Sequence, residues 1–183
     1  ALARRVATAA LQDPDEQAPA WKAVVAEADV IDSRYAEAAA GLSEIIDSPE
    51  VEAQRAKIIS LLGQTLEHIP GTEQAELIAQ RVPQWLKADR LQPGAKAQMI
   101  EAGILAAHVL RKAGKMKTAA SLYRVIDEKS EGGSIRSSAR FWLGEAGELN
   151  AAQESAWGDD PDIELGSPWG RVALFQRKSE ALR

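Results

Sequence analysis

The apolar residues of this chain recur at steps of three and four, the spacing that places side chains on one face of an α-helix. The segment 103–145 shows the pattern best, with Ile104, Ala107 and Leu110 on one stripe and a second stripe of the same period after it. Gly114 separates the stripes and is expected to end the first helix in the left-handed conformation. The segment therefore predicts two antiparallel helices joined by a tight turn.

The same periodicity extends along the chain, and the alternation typical of strands is missing. We therefore expect an all-α protein, a right-handed α-solenoid that forms one domain over residues 1–183. The predicted units are hairpins at about 20–47, 49–88, 95–130 and 134–157, a capping helix at 168–183 and a helix at 1–11 with no partner before it. The chain opens without Met and already in a helical run, which indicates a fragment of a longer protein.

Prolines, glycines and short polar residues predict where these helices begin and end. Pro83 is expected to kink or restart its helix. The pair Pro93-Gly94 predicts a further break. The predicted starts or caps are Pro19, Asp32 or Ser33, Ser48 (opening a helix to about His68), Thr72 and Ser134.

Two segments share a hairpin pattern, 33–46 and 114–126: a turn residue, an aromatic or Met two positions on, then a small Ala and a large residue. Residues 139–146 read ARFWLGEA. On these segments the chain resembles the tetratricopeptide superfamily, and locally its members from the bacterial cell envelope. The resemblance implies stacked hairpins whose first helices line a concave groove, a periplasmic or membrane-anchored location, and no catalytic residue.

The spacing of the turns departs from that family. The turn residues Ser33, Pro70 and Gly114 are further apart than the roughly 34 residues of a tetratricopeptide repeat. Gly147 also follows Leu143-Gly144 early, so the fourth hairpin is short. The repeats are therefore predicted to be divergent.

Composition narrows the classes of partner. The 183 residues carry a net charge of −5, which argues against nucleic acid because phosphate binding needs a basic face. No apolar run approaches the roughly 18 residues of a membrane span, so we expect no direct insertion of this segment. The chain has no cysteine, which excludes disulfides and thiolate sites.

The residues with catalytic or metal-binding chemistry are scattered. His68 and His108 lie on different predicted helices, without the HExxH spacing of a zinc site. The acidic loop 158–167 has alternating carboxylates, but its glycine comes late and no bidentate Glu follows, so a solvated loop is favoured over a calcium site. No nucleophile triad or phosphate-binding loop is present. We therefore predict no enzyme activity, no cofactor and no metal.

The basic cluster from Arg111 to Lys117 lies at a helix end and turn, where cations offset the helix dipole. The five tryptophans are interpreted mainly as packing residues. A groove formed by the first helix of each hairpin would expose a set of polar side chains to a partner. The predicted contact residues are Lys57, Gln64, Gln98, Glu101, His108, Arg111, Arg136 and Arg140.

Three functional hypotheses follow. The first is a non-catalytic scaffold that binds a protein or peptide. The alternative is the helical, non-catalytic or lid region of a larger enzyme, such as one that cleaves peptidoglycan. The third is self-association through the open face of the helix at 1–11.

Overall fold

The computed structural model describes residues 19–87, 91, 93–131 and 133–148, together with Arg5. These residues form helices and turns without any strand, which confirms the predicted all-α class for this part of the chain. The helices predicted at 1–11 (of which only Arg5 is described), 150–157 and 168–183 lie outside it, as does the acidic loop 158–167. The observed helices are α1 Pro19–Ile31, α2 Tyr35–Ile45, a 3-10 helix Pro49–Gln54, α3 Arg55–His68, α4 Thr72–Trp85, α5 Pro93–Lys112, α6 Met116–Lys129 and α7 Gly133–Glu145.

Helix α5 is the centre of the packing. It has 20 residues and contacts α3, α4 and α6 extensively. On one side α1 packs on α2 and α2 on α3, and on the other side α6 packs on α7. Each helix thus buries its apolar stripe against helices that are close to it in sequence.

The stripes predicted from periodicity are the core. Buried hydrophobic residues form one cluster to which every described α-helix contributes. The side chains of Leu42, Leu62, Ile78, Leu110 and Ile126 are at most 1% exposed. Gly114 has the left-handed φ of +76° expected at the end of α5, which only glycine adopts without a Cβ penalty.

Glycine has a different role in α3. A Cβ built on Gly63 would lie 2.9 Å from the Cβ of Ala102 and 3.0 Å from its Cα. A Cβ–Cβ separation of 2.9 Å is essentially never seen in real structures. The absence of a side chain at Gly63 therefore allows the close separation between α3 and α5.

The predicted cap of α2 is wrong. Neither Asp32 nor Ser33 caps the helix: Arg34 occupies the N-cap position without a side-chain bond to the backbone. Ser33 has a φ of +60°, and the backbone N–H of Arg34 donates to the carbonyl of Asp29 at 2.7 Å. The Arg34 guanidinium also lies 2.6 Å from the buried Asp29 carboxylate. An ion pair and a left-handed residue therefore form this turn in place of a side-chain cap.

The predicted helix from Ser48 to His68 is divided. Residues Pro49–Gln54 form a 3-10 helix, and the α-helix begins only at Arg55. The hydroxyl of Ser48 donates to the Glu50 carboxylate and makes no cap to the backbone. This bond lowers the pKa of Glu50 below its usual value.

Two further boundary predictions are corrected. Thr72 is the first residue of α4 and Gly71 is its N-cap. Helix α4 continues through Pro83 to Trp85 without a restart. Pro83 lies in the last turn, so its missing N–H removes only one intrahelical hydrogen bond.

The break predicted at Pro93-Gly94 ends earlier than expected, since α5 begins at Pro93 and includes Gly94. Proline at a first helical position removes an N–H that has no intrahelical partner there. Helix α7 begins at Gly133, one residue before the predicted cap Ser134.

Candidate functional site

A groove lies between α3 and α5, where Gly63 brings the two helices together. It has a volume of 260 Å³. Its apolar floor includes Ala102 and Ile104, which are 2% and 8% exposed. Polar side chains from both helices form its walls. The groove is lined by Ser60, Gln64, Glu67, Glu101, Ala102, Ile104 and Leu105.

One helical turn beyond the groove, α5 contributes His108 to a cluster of aromatic residues. Its Nδ1 lies 2.6 Å from the hydroxyl of Tyr123 on α6. Its ring also meets Trp142 of α7 edge to face, with centroids 6.2 Å apart. The Arg111 guanidinium lies 3.7 Å from the centroid of the Trp142 ring. We call His108, Arg111, Tyr123 and Trp142 the aromatic cluster.

The environment of the cluster keeps its histidine and tyrosine uncharged. Burial, together with the charges of Arg111 and Lys112, lowers the pKa of His108 to about 4. Burial raises the pKa of Tyr123 to about 12, against the opposing effect of its hydrogen bond with Arg111. At neutral pH the imidazole is therefore neutral and the phenol protonated, so the phenol can donate to Nδ1. The positive charge of the cluster comes from Arg111.

Beside the cluster, Asp127 of α6 accepts hydrogen bonds from two arginines of α7. Its Oδ1 lies 3.2 Å from Nε of Arg136 and 2.5 Å from Nε of Arg140. The two arginines are one helical turn apart and face α6 together. These pairs connect α6 to α7, and they give both predicted contact residues a structural role.

The structure separates the eight predicted contact residues into distinct places. Gln64 and Glu101 line the groove, and His108 and Arg111 belong to the aromatic cluster. Gln98 is exposed on α5. The remaining three are in ion pairs: Lys57 with Glu27, and Arg136 and Arg140 with Asp127.

The periodicity placed Tyr123 in the core but did not predict its bond to His108. The hairpin turn at Gly114 is the sequence feature from which this contact could have been predicted. His108 and Tyr123 lie on opposite sides of Gly114 at similar distances along the chain, so antiparallel helices bring them together. Asp127 was missed because nothing local distinguishes one helical carboxylate from another.

The tryptophans within the described residues are all half-buried. Trp85 and Trp142 each lie beneath an arginine. Arg55 is 5.5 Å from the centroid of the Trp85 ring, and Arg111 covers Trp142. Trp21 is the third. Trp157 and Trp169 lie outside the described residues.

A second cavity, of 180 Å³, lies between α5, α6 and α7. Across its opening, the ammonium of Lys96 donates to the Glu131 carboxylate at 3.0 Å. Its polar walls also include Glu101, Lys129 and Ser130, with Ile100 and Ile135 as apolar contacts.

In the part of the chain that the structure covers, no group of three or more histidine, cysteine or acidic residues is arranged to hold a metal ion. None of the described helices combines the length and apolarity that a bilayer crossing needs. No protein-family model, curated protein or solved structure matches this chain.

Proposed function

We propose that this chain is a non-catalytic interaction scaffold that binds a protein or peptide partner along α3 and α5. The observation that carries the proposal is the groove between these helices, with its buried apolar floor and polar walls. Leu105 is only half-buried, so it supplies apolar surface that a partner can remove from water. The polar walls select the partner by hydrogen bonding.

The size of the groove favours a macromolecular partner. Pockets for small molecules usually measure roughly 300–1,000 Å³, and this groove has 260 Å³. A single side chain of a partner fits such a volume. The rest of the partner would then lie along the exposed surfaces of the two helices.

The aromatic cluster extends the proposed surface at one end. His108 follows Ile104 by four residues, so the two lie on the same side of α5. Trp and Arg are the residue types enriched at binding hot spots, and here Arg111 covers Trp142. We therefore include Arg111 and Trp142 in the surface.

The proposed architecture is a divergent, tetratricopeptide-like stack of antiparallel hairpins, and the proposed location is the bacterial cell envelope. The packing of α1 on α2, α5 on α6 and α6 on α7, together with that of α3 on α5, supports the stacked arrangement. The resemblance of residues 139–146 to envelope proteins supports the location. The helical region of a larger enzyme remains the alternative hypothesis.

Site-specific photocrosslinking tests the scaffold proposal. A photoreactive amino acid replaces Gln64 or Gln98 on the proposed surface, or Gln80 on α4 as a control. All three positions are exposed. In an extract of the producing cells, we expect a discrete crosslinked product from Gln64 and Gln98 that excess unlabelled protein competes away. Equal crosslinking from Gln80, or no crosslinking from both Gln64 and Gln98, would contradict the proposal.

A further inference from the structure

Among the described residues, several ion pairs connect a helix to another helix or to a turn near a helix end. They join exposed or half-buried side chains that are far apart in sequence. The pairs are Lys22–Glu44, Lys57–Glu27, Arg81–Asp47, Lys96–Glu131, Lys115–Glu76 and Arg124–Glu148.

No such ion pair lies among the described residues that line the groove between α3 and α5. The groove holds two carboxylates, Glu67 from α3 and Glu101 from α5. Both are exposed, and neither pairs with a cation in the ranges that the structure describes. Glu101 also borders the second cavity, whose lining includes Lys96, paired with Glu131, and Lys129. No ion pair joins either lysine to Glu101, so the rim of the groove carries two carboxylates without an ion-pair partner among the described residues.

Below this rim the groove is apolar. Ile104 and Leu105 supply aliphatic surface, and the side-chain oxygens of Ser60 and Gln64 supply neutral acceptors. A lysine or arginine matches both parts, because its methylene stem packs on apolar surface while its charged head stays near the polar edge. A wholly aliphatic side chain would leave the carboxylates unpaired, and an acidic one would be repelled by them.

We propose that the groove between α3 and α5 receives a lysine or arginine side chain from a basic segment of a partner protein. The stem of that side chain lies over Leu105, and its head lies between Glu67 and Glu101. The net charge of −5 adds a weaker, long-range attraction for a basic segment. This inference rests on the proposed scaffold function and specifies the chemistry of its partner.

Peptide pools test the inference. The full chain is immobilised and exposed to pools of short random peptides that differ only in one fixed central residue: Lys, Arg, Leu, Gln or Glu. We expect the Lys and Arg pools to be retained roughly three- to tenfold more than the Glu pool at low salt, and less so as salt screens the charges. Equal retention of all pools, or preference for the Glu pool, would overturn the inference.

Matched variants separate the groove from the overall charge. The double variant Glu67→Gln/Glu101→Gln should abolish the preference for basic pools. The control Glu37→Gln/Glu128→Gln makes the same change in net charge at exposed positions of α2 and α6, and it should retain the preference. If the control variant also loses the preference for basic peptides, the preference depends on net charge, and a site in the groove is refuted.

The two proposals fail in different ways. A partner crosslinked from Gln64 together with no basic preference would refute the inference and leave the scaffold function standing. A basic preference that depends on Glu67 and Glu101 supports both. Absence of crosslinking and of any peptide preference would remove both.

Discussion

At the scale of single residues, the burial of one histidine links the stability of the fold to pH. His108 lies between α5, α6 and α7, in contact with Tyr123 and Trp142. Burial and two nearby cations lower its pKa from 6.5 to about 4. Protonation would remove the lone pair of Nδ1 that accepts the Tyr123 hydroxyl and would place a charge beside Arg111. The folded chain therefore resists protonation here, whereas the unfolded chain does not.

The consequence is a loss of stability in mild acid. Between pH 6.5 and about 4 the unfolded chain binds a proton at His108 that the folded chain does not. The free energy of unfolding should therefore fall as pH decreases through this window. Because the ring is only half-buried, we expect its contribution to be about 1–2 kcal/mol, below what the full shift would give. Above pH 6.5 this contribution is fully present.

Urea unfolding at pH 7.5 and pH 4.5 measures this effect. The variant His108→Gln keeps a polar partner for Tyr123 but does not titrate. On acidification its free energy of unfolding should therefore fall by about 1–2 kcal/mol less than that of the wild type. The control His68→Gln alters an exposed histidine that stacks on Tyr35, and it should behave as the wild type does. Identical losses in His108→Gln and wild type would show that His108 does not set this dependence.

At the scale of the helix, the contact between α3 and α5 depends on a residue without a side chain. Gly63 allows the α3 backbone to approach Ala102, and the groove lies beside this contact. Periodicity placed the large apolar residues of both helices correctly in the core. It did not predict this approach, because the constraint on Gly63 comes from a residue on another helix.

The variant Gly63→Ala should destabilise the fold. Alanine raises helix propensity by about 1 kcal/mol over glycine, but its Cβ would lie 2.9–3.0 Å from atoms of Ala102. Helices α3 and α5 must then separate, and overpacking of this kind typically costs about 1–3 kcal/mol. We expect a net loss of stability, measured by urea or thermal unfolding.

Gly41→Ala is the matched control. Gly41 is also inside a helix, α2, but a Cβ there would lie 3.7 Å from Ala26, an ordinary contact. This variant should be neutral or stabilised by up to about 1 kcal/mol. A stabilised Gly63→Ala would show that the α3–α5 separation has more freedom than the structure indicates.

At the scale of the whole described chain, packing is local along the sequence even though the core is continuous. Helices α1 and α2 contact mainly each other and α3, whereas α6 and α7 contact mainly each other, α4 and α5. Damage at one end should therefore spread to adjacent helices before it reaches the far end.

Core truncations at two places test this. Leu42 in α2 and Leu110 in α5 are both fully buried, and replacing either with alanine should cost about 2–5 kcal/mol. By hydrogen exchange under native conditions, we expect Leu42→Ala to increase amide exchange in α1–α3 and leave α6 close to wild type. Leu110→Ala should increase exchange in α3–α6. Uniform loss of protection in both variants would indicate one cooperative unit without local order.

The sequence by itself determined the helical class, the buried stripes and the turn at Gly114, because helical period and glycine conformation are local properties of the chain. The tertiary structure decided what lies between the helices. It replaced the predicted caps of α2 with an ion pair between Arg34 and Asp29, and it brought His108 to Tyr123. It also placed Glu67 and Glu101 on one groove. His108 and Tyr123, like Glu67 and Glu101, lie on different helices, so their proximity depends on how closely the helices approach, which no local pattern encodes. The pair between Arg34 and Asp29 is close in sequence, but it forms only because the turn at Ser33 adopts its left-handed conformation.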